Sequence, residues 1–141
     1  LTLLFDTNVC IDILRGTRRD VRARYAEARA ADLPIGLSVL VFYELEVGVR
    51  KSADPARARA KLDAFLRVSP TPLEIDSADA AAAADIRARL ERVGKTIGPV
   101  DTLLAGQAIA RGAVFVTSNF DEFVRVASLR VVRATDSWIS D

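Results

Sequence analysis

The chain is predicted to be an α/β protein, a three-layer α/β/α sandwich around a mostly parallel central sheet. Three observations predict this. Short apolar runs at 2–5, 35–37 and 114–116 read as buried strands, and continuous apolar strands belong to sheets covered on both faces. Helical stretches separate those runs, so the order is strand, helices, strand, helices, strand, helix, strand, as parallel sheets require. Half of the 141 residues are hydrophobic, enough to remove roughly two thirds of the unfolded chain's surface from water. Connectors are short and no repeat is visible, so 1–141 is expected to form a single domain.

The elements follow in order. Residues 7–15 read as a helix closed near Gly16. Residues 18–31 carry Ala and Arg at helical density, and Pro34 stops the pattern. Ser38 suits the N-cap of a helix over 39–50. Pro55 suits the first turn of another, running to about Val68. Ser69-Pro70-Thr71-Pro72 is a connector. Leu73-Glu74-Ile75 alternates like a strand, and Asp76 or Ser77 can cap the Ala-rich helix that extends to about Val93. Pro99 opens a helix to about Arg111, which Gly112 closes. A short helix near 121–126 and a last strand at 129–132 follow, and Trp138 packs near the end.

Composition excludes much chemistry. There is no histidine and one cysteine, Cys10. Ser-His-Asp triads, Cys-His dyads and zinc sites with imidazole or several thiolate ligands are therefore ruled out. Cys10 lies in an apolar helical stretch and reads as a small core residue. No apolar run approaches the ~20 residues that span a bilayer, and no leader pattern opens the chain. A cytoplasmic location is expected. The net charge of +1 advertises no global partner. Local basic clusters remain: Arg15, Arg18, Arg19, Arg22 and Arg24, then Arg87, Arg89, Arg92 and Lys95. Each is either a solvated helix face or a phosphate-backbone contact.

What remains is carboxylate chemistry. Asp6 ends the first strand, and the 117–122 segment follows the strand at 114–116. In a parallel sheet both lie on the carboxyl rim, where such sheets place their ligands. Asp6 could instead only cap the next helix. Glu44 has Leu40, Val41, Val47 and Gly48 as helical neighbours. An ionised acid on that stripe needs a metal or a cationic partner. Glu46 has Arg50 one turn on and is the more ordinary of the two. Asp101 sits in the first turn of its helix, where the helix dipole favours a charge. Its neighbours Val100, Leu103 and Leu104 predict a mostly buried turn. Asn119, Asp121 and Glu122 bracket a turn after strand 114–116. Four acid segments collected in one crevice would form a hard-cation site.

Together these segments resemble the PIN-domain ribonucleases, in particular the VapC-type toxins of bacterial toxin–antitoxin pairs. Leu3-Leu4-Phe5-Asp6-Thr7-Asn8-Val9 is similar to the family's opening strand and first acid. Ser38-Val39 through Glu44 to Gly48 is similar to its second acid helix. Gly98-Pro99-Val100-Asp101-Thr102-Leu103-Leu104-Ala105 is similar to the third acid segment, and Val116-Thr117-Ser118-Asn119-Phe120-Asp121-Glu122-Phe123 to the closing pattern. The resemblance implies a PIN-like α/β/α fold and endonucleolytic cleavage of RNA with Mg²⁺ or Mn²⁺. It implies Asp6 and Asp101 as direct metal ligands, with Glu44 and Glu122 completing the catalytic acids. Thr7, Asn8 and Asn119 would position acids or phosphate by hydrogen bonds. Asn119 matches a position that is Asp in some PIN domains, and Gln107 one that is often His. The implied partners are an RNA substrate, a small protein antitoxin and a second copy in a homodimer, with no membrane.

Two other readings stand beside it. One is a non-catalytic PIN-like module that binds RNA or a partner. The other is a phosphatase of the haloacid-dehalogenase type, which Phe5-Asp6-Thr7-Asn8 loosely resembles; that class wants a second Asp where this chain has Asn8.

Overall fold

The computed structural model describes residues 2–68 and 72–139. Strand β1 (Leu3–Phe5) is buried along its whole length and pairs with a parallel neighbour on each side. On one flank is β2 (Ile35–Gly36), on the other β3 (Val114–Thr117), and β4 (Arg130–Arg133) lies beyond β3. The order is β2-β1-β3-β4 with every pairing parallel. No turn can link parallel neighbours directly, so helices make the crossovers. They are α1 (Thr7–Arg15), α2 (Arg19–Ala30), α3 (Val39–Lys51), α4 (Pro55–Val68), α5 (Ser77–Arg92), α6 (Pro99–Ala110) and the short α7 (Phe120–Phe123).

Local chemistry explains the helix ends. Gly16 takes φ 69°, and its N–H closes on the Asp12 carbonyl, a backbone shape that costs an L-residue and suits glycine. The Ser38 hydroxyl accepts the Leu40 N–H at 3.2 Å. Asp76 and Asp79 form a reciprocal capping box at the start of α5. Helices α5 and α6 pack backbone to backbone at Gly106, where an added Cβ would meet the Ala83 nitrogen at 2.6 Å.

The core joins sheet and helices. Phe5 packs on Trp138 with ring centroids 5.1 Å apart, and Phe115 on Phe123 at 4.6 Å. The Trp138 indole donates to the Ala134 carbonyl at 3.0 Å, so even its polar atom is satisfied. Cys10 is fully buried as expected, and burial pushes its thiol up, away from reactivity. Among the described residues no helix is long and apolar enough to cross a membrane.

Two expectations need correction. Leu73-Glu74-Ile75 is not a strand but one parallel bridge, Ser38 to Leu73. The ladder cannot extend, because α3 starts at Val39 and takes the partner chain away from the sheet. The side chain of Gln107 donates to the Leu73 and Glu74 carbonyls instead (3.3 and 3.2 Å). The short helix covers 120–123 rather than 121–126. The connector expected at 69–72 lies outside the described residues, apart from Pro72.

Candidate active site

The register of β1 against β3 sets the site. Phe5 pairs with Val116, and the Asp6 N–H donates to the Val116 carbonyl at 3.1 Å. Asp6 and Thr117 therefore leave adjacent strands at the same carboxyl rim. The Asp6 side chain is buried, with 6% exposure. One oxygen accepts the Val9 N–H at 3.0 Å and caps α1. The other accepts the hydroxyl of Thr117. The capping role and the rim position thus coexist in one carboxylate, which has about four lone-pair sites to share. Burial pushes the Asp6 carboxyl up, and the Thr117 hydroxyl and the N–H groups of Val9, Ser118 and Asn8 oppose that shift.

Asp101 stands in the first turn of α6, behind Pro99 at the helix start. Its carboxyl is pushed up to about 6, first by burial and then by the negative charges of Glu122, Asp6 and Glu44. Asp101 thus feels the charges of acids from three other stretches of the sequence. Val100, expected to be buried with this turn, is 40% exposed, because the turn lies at the open rim and only Thr102 and Leu104 face inward.

Glu44 is partly buried on α3 and takes part in no ion pair among the described residues. The pairing went to Glu46, held by both guanidinium nitrogens of Arg59 at 2.6 and 2.8 Å and by Arg50. Those cations hold the Glu46 carboxyl well below the usual range. Glu122 accepts the side-chain amide of Asn119. Asp121 points away: it is exposed, 3.8 Å from Arg133, whose guanidinium stacks over Phe120 at 4.0 Å.

The residues expected to position ligands divide. Asn119 holds Glu122, and its N–H donates to the Thr117 Oγ1 at 2.9 Å. Asn8 is exposed and faces Asp6 through its backbone N–H. The Thr7 hydroxyl is buried with no partner among the described residues. Thr117 itself is what sequence reasoning missed. Fully buried, it donates to Asp6 and accepts from Asn119, so it joins the first acid to the last. Its place at the end of a buried strand beside Asn119 was the only signal available.

The donor set is all carboxylate oxygen, which suits a hard cation such as Mg²⁺. Among the described residues no three acids stand close enough to form a ready-made cage. Mg²⁺ needs none, since it keeps several waters and takes one or two carboxylates directly.

The crowding of acids has a measurable consequence. Asp101 ionises near its ordinary 3.8 when unfolded and at about 6 when folded. The folded state therefore holds the proton more tightly. That stabilisation is fully present below about 3.8 and is lost as pH rises through about 6. Asp101→Asn should therefore be more stable than the parent chain in EDTA at pH 7, with the gap closing towards pH 4. Thermal melts of both across that range check it; parallel curves would show that Asp101 is not under this strain.

The geometry matches known proteins end to end. The PIN domain family profile covers residues 3–129. A relative from Shigella flexneri named tRNA(fMet)-specific endonuclease VapC is 35% identical over 138 residues, 98% of each chain. A Ribonuclease VapC2 from Rickettsia felis is 35% identical, covering 89% of this chain and 92% of that one. Among solved structures, VapBC2 from Rickettsia felis bound to a DNA fragment from its promoter superposes with a TM-score of 0.85 at 30% identity, covering 94% and 98% of the two chains. DNA-bound VapBC from Salmonella typhimurium gives 0.84 at 32% identity, covering 95% and 98%. The phosphatase alternative falls away, and the chain belongs to the PIN-domain family, among the VapC-type ribonuclease toxins of toxin–antitoxin pairs.

Proposed function

We propose that this ribonuclease cuts RNA endonucleolytically with Mg²⁺ or Mn²⁺ held by Asp6 and Asp101, with Glu44 and Glu122 completing the catalytic acids. The observation that supports the reading is the placement of Asp6 at the carboxyl rim of the sheet with Asp101 near it, the Asp101 carboxyl being pushed up to about 6 first by burial and then by the charges of Glu122, Asp6 and Glu44. Such a group of unpaired charges favours a divalent cation, and binding one relieves the repulsion. When bound, the ion lowers the pKa of an attacking water and stabilises charge on the phosphate. The protein's own share is orientation. Thr117 and the Val9 N–H hold Asp6 at the rim. Asn119 holds Glu122 through its side-chain amide. Thr7, whose buried hydroxyl has no partner among the described residues, and the exposed Asn8 supply groups that would meet an acid or phosphate.

The substrate to try first is initiator tRNA, because relatives from Shigella flexneri and Salmonella typhimurium are named for it. We further propose that the chain works in the cytoplasm as a homodimer held inactive by a small antitoxin, as the solved VapBC relatives pair toxin with antitoxin. The purified protein should cut RNA with Mg²⁺, stop in EDTA and recover when Mg²⁺ or Mn²⁺ is restored. Cleavage that persists unchanged in EDTA would remove the metal. Binding without cleavage under any metal would favour the non-catalytic module.

A further inference from the structure

A groove of about 500 Å³ runs between α1, α3 and α4 and opens beside Glu44. Its floor is aliphatic, with Ile11, Leu14 and Leu45. Its walls carry Arg15, Lys51, Arg57 and Lys61. All four cations are exposed, and none takes part in an ion pair among the described residues. Several cations elsewhere on the surface are paired. On α5, Arg87 pairs with Glu91 at 2.8 Å and Arg89 with Asp85 at 3.0 Å. After α1, Arg18 pairs with Asp20 and Arg24 with Glu27. The one other acid on the groove, Asp54, accepts the backbone N–H of Arg57 at 3.2 Å and so caps α4. Gly48, one turn after Glu44, lines the same groove, and a Cβ there would meet nothing within 4 Å. The space beside Gly48 is therefore open, and Glu44 is the proposed catalytic acid that the groove reaches.

We propose that this groove is the track of the RNA strand on one side of the scissile phosphate, with Arg15, Lys51, Arg57 and Lys61 contacting its phosphates. The inference rests on the nuclease reading and adds where the substrate lies. A polyanion whose scissile phosphate sits among carboxylates needs cations close by to offset that repulsion, and these four line the same groove as Glu44 with no ion-pair partner among the described residues. Ribose and base edges can lie on the aliphatic floor. No aromatic side chain lines the groove, so base stacking contributes little there. Affinity should come from phosphate contacts, fall steeply with salt and depend little on sequence.

The test is binding of a short labelled single-stranded RNA, followed by fluorescence anisotropy in EDTA so that cleavage plays no part. Arg57→Ala/Lys61→Ala removes two exposed cations one helical turn apart and should weaken binding about tenfold. The slope of log affinity against log salt should fall by roughly 1.4, at about 0.7 per single-strand phosphate contact. Arg87→Ala/Arg89→Ala makes the same change in net charge on α5 and should bind as the parent does. Melting curves confirm that both variants are folded. Equal binding by the groove variant and the parent overturns the proposal, as does an equal loss in the α5 variant. So does a groove variant that keeps its RNA affinity but escapes inhibition by its antitoxin, which would assign the groove to the protein partner. A parent chain that cuts no RNA with Mg²⁺ sinks the nuclease reading, while the anisotropy comparison still decides the groove.

Discussion

Asp6→Asn is expected to lower RNA cleavage by roughly 10³-fold or more, since a metal-held charge contributes several kcal/mol at about 1.4 kcal/mol per factor of ten. The fold should survive. Asn is as good an N-cap as Asp, so the bond from the Val9 N–H of α1 to the side-chain oxygen of residue 6 is kept. The substitution also removes a charge that burial already disfavours. Asp121→Asn, exposed on α7 and directed at Arg133, is the control and should leave the rate within a factor of two or so. Initial rates at saturating Mg²⁺, beside circular dichroism of each variant, make the comparison. A folded Asp6→Asn chain that cuts at the parent rate would take Asp6 out of the reaction.

Thr117→Val should cost about 10- to 100-fold in activity or in the Mg²⁺ concentration needed, the range seen when the groups that orient metal ligands are lost. Valine fills nearly the same volume but cannot donate to Asp6 or accept the Asn119 N–H. The buried Asp6 oxygen loses its donor, at about 1–3 kcal/mol for a buried group left unsatisfied, and the Asn119 N–H loses its acceptor. A purely structural role would lower stability alone. A positioning role also moves the chemistry: without the hydroxyl the Asp6 carboxyl rises further, so the pH profile should shift towards higher pH. Thr117→Ser should restore both. A Thr117→Val enzyme with parental kcat, metal requirement and pH profile, and reduced only in melting temperature, would confine the hydroxyl to stability.

Much of this molecule could be read along the chain. The apolar runs at 2–5 and 114–116 announce buried strands by composition, and they occupy the centre of the sheet. Ser38, Pro55, Asp76 and Gly16 mark helix ends through chemistry confined to a few residues. Leu73-Glu74-Ile75 misleads because alternation reports a preference for extended backbone, while a strand also needs a neighbour long enough to pair with. The arginine clusters look alike in sequence. Partners divide residues within them: Arg18, Arg24, Arg87 and Arg89 are paired with neighbouring acids, while Arg15 lines a groove that α3 and α4 complete.

By itself the sequence determined the chemistry available here: carboxylates without histidine, one inert cysteine and acids placed where buried strands end. Only the tertiary structure decided which of those acids meet, and what steadies them. The bond from Thr117 to Asp6 joins residues 111 positions apart, and the crowding felt by Asp101 comes from three other segments. Periodicity and capping act over a turn of helix or a strand, whereas these contacts follow from the pairing register of β1 with β3, which no local pattern encodes.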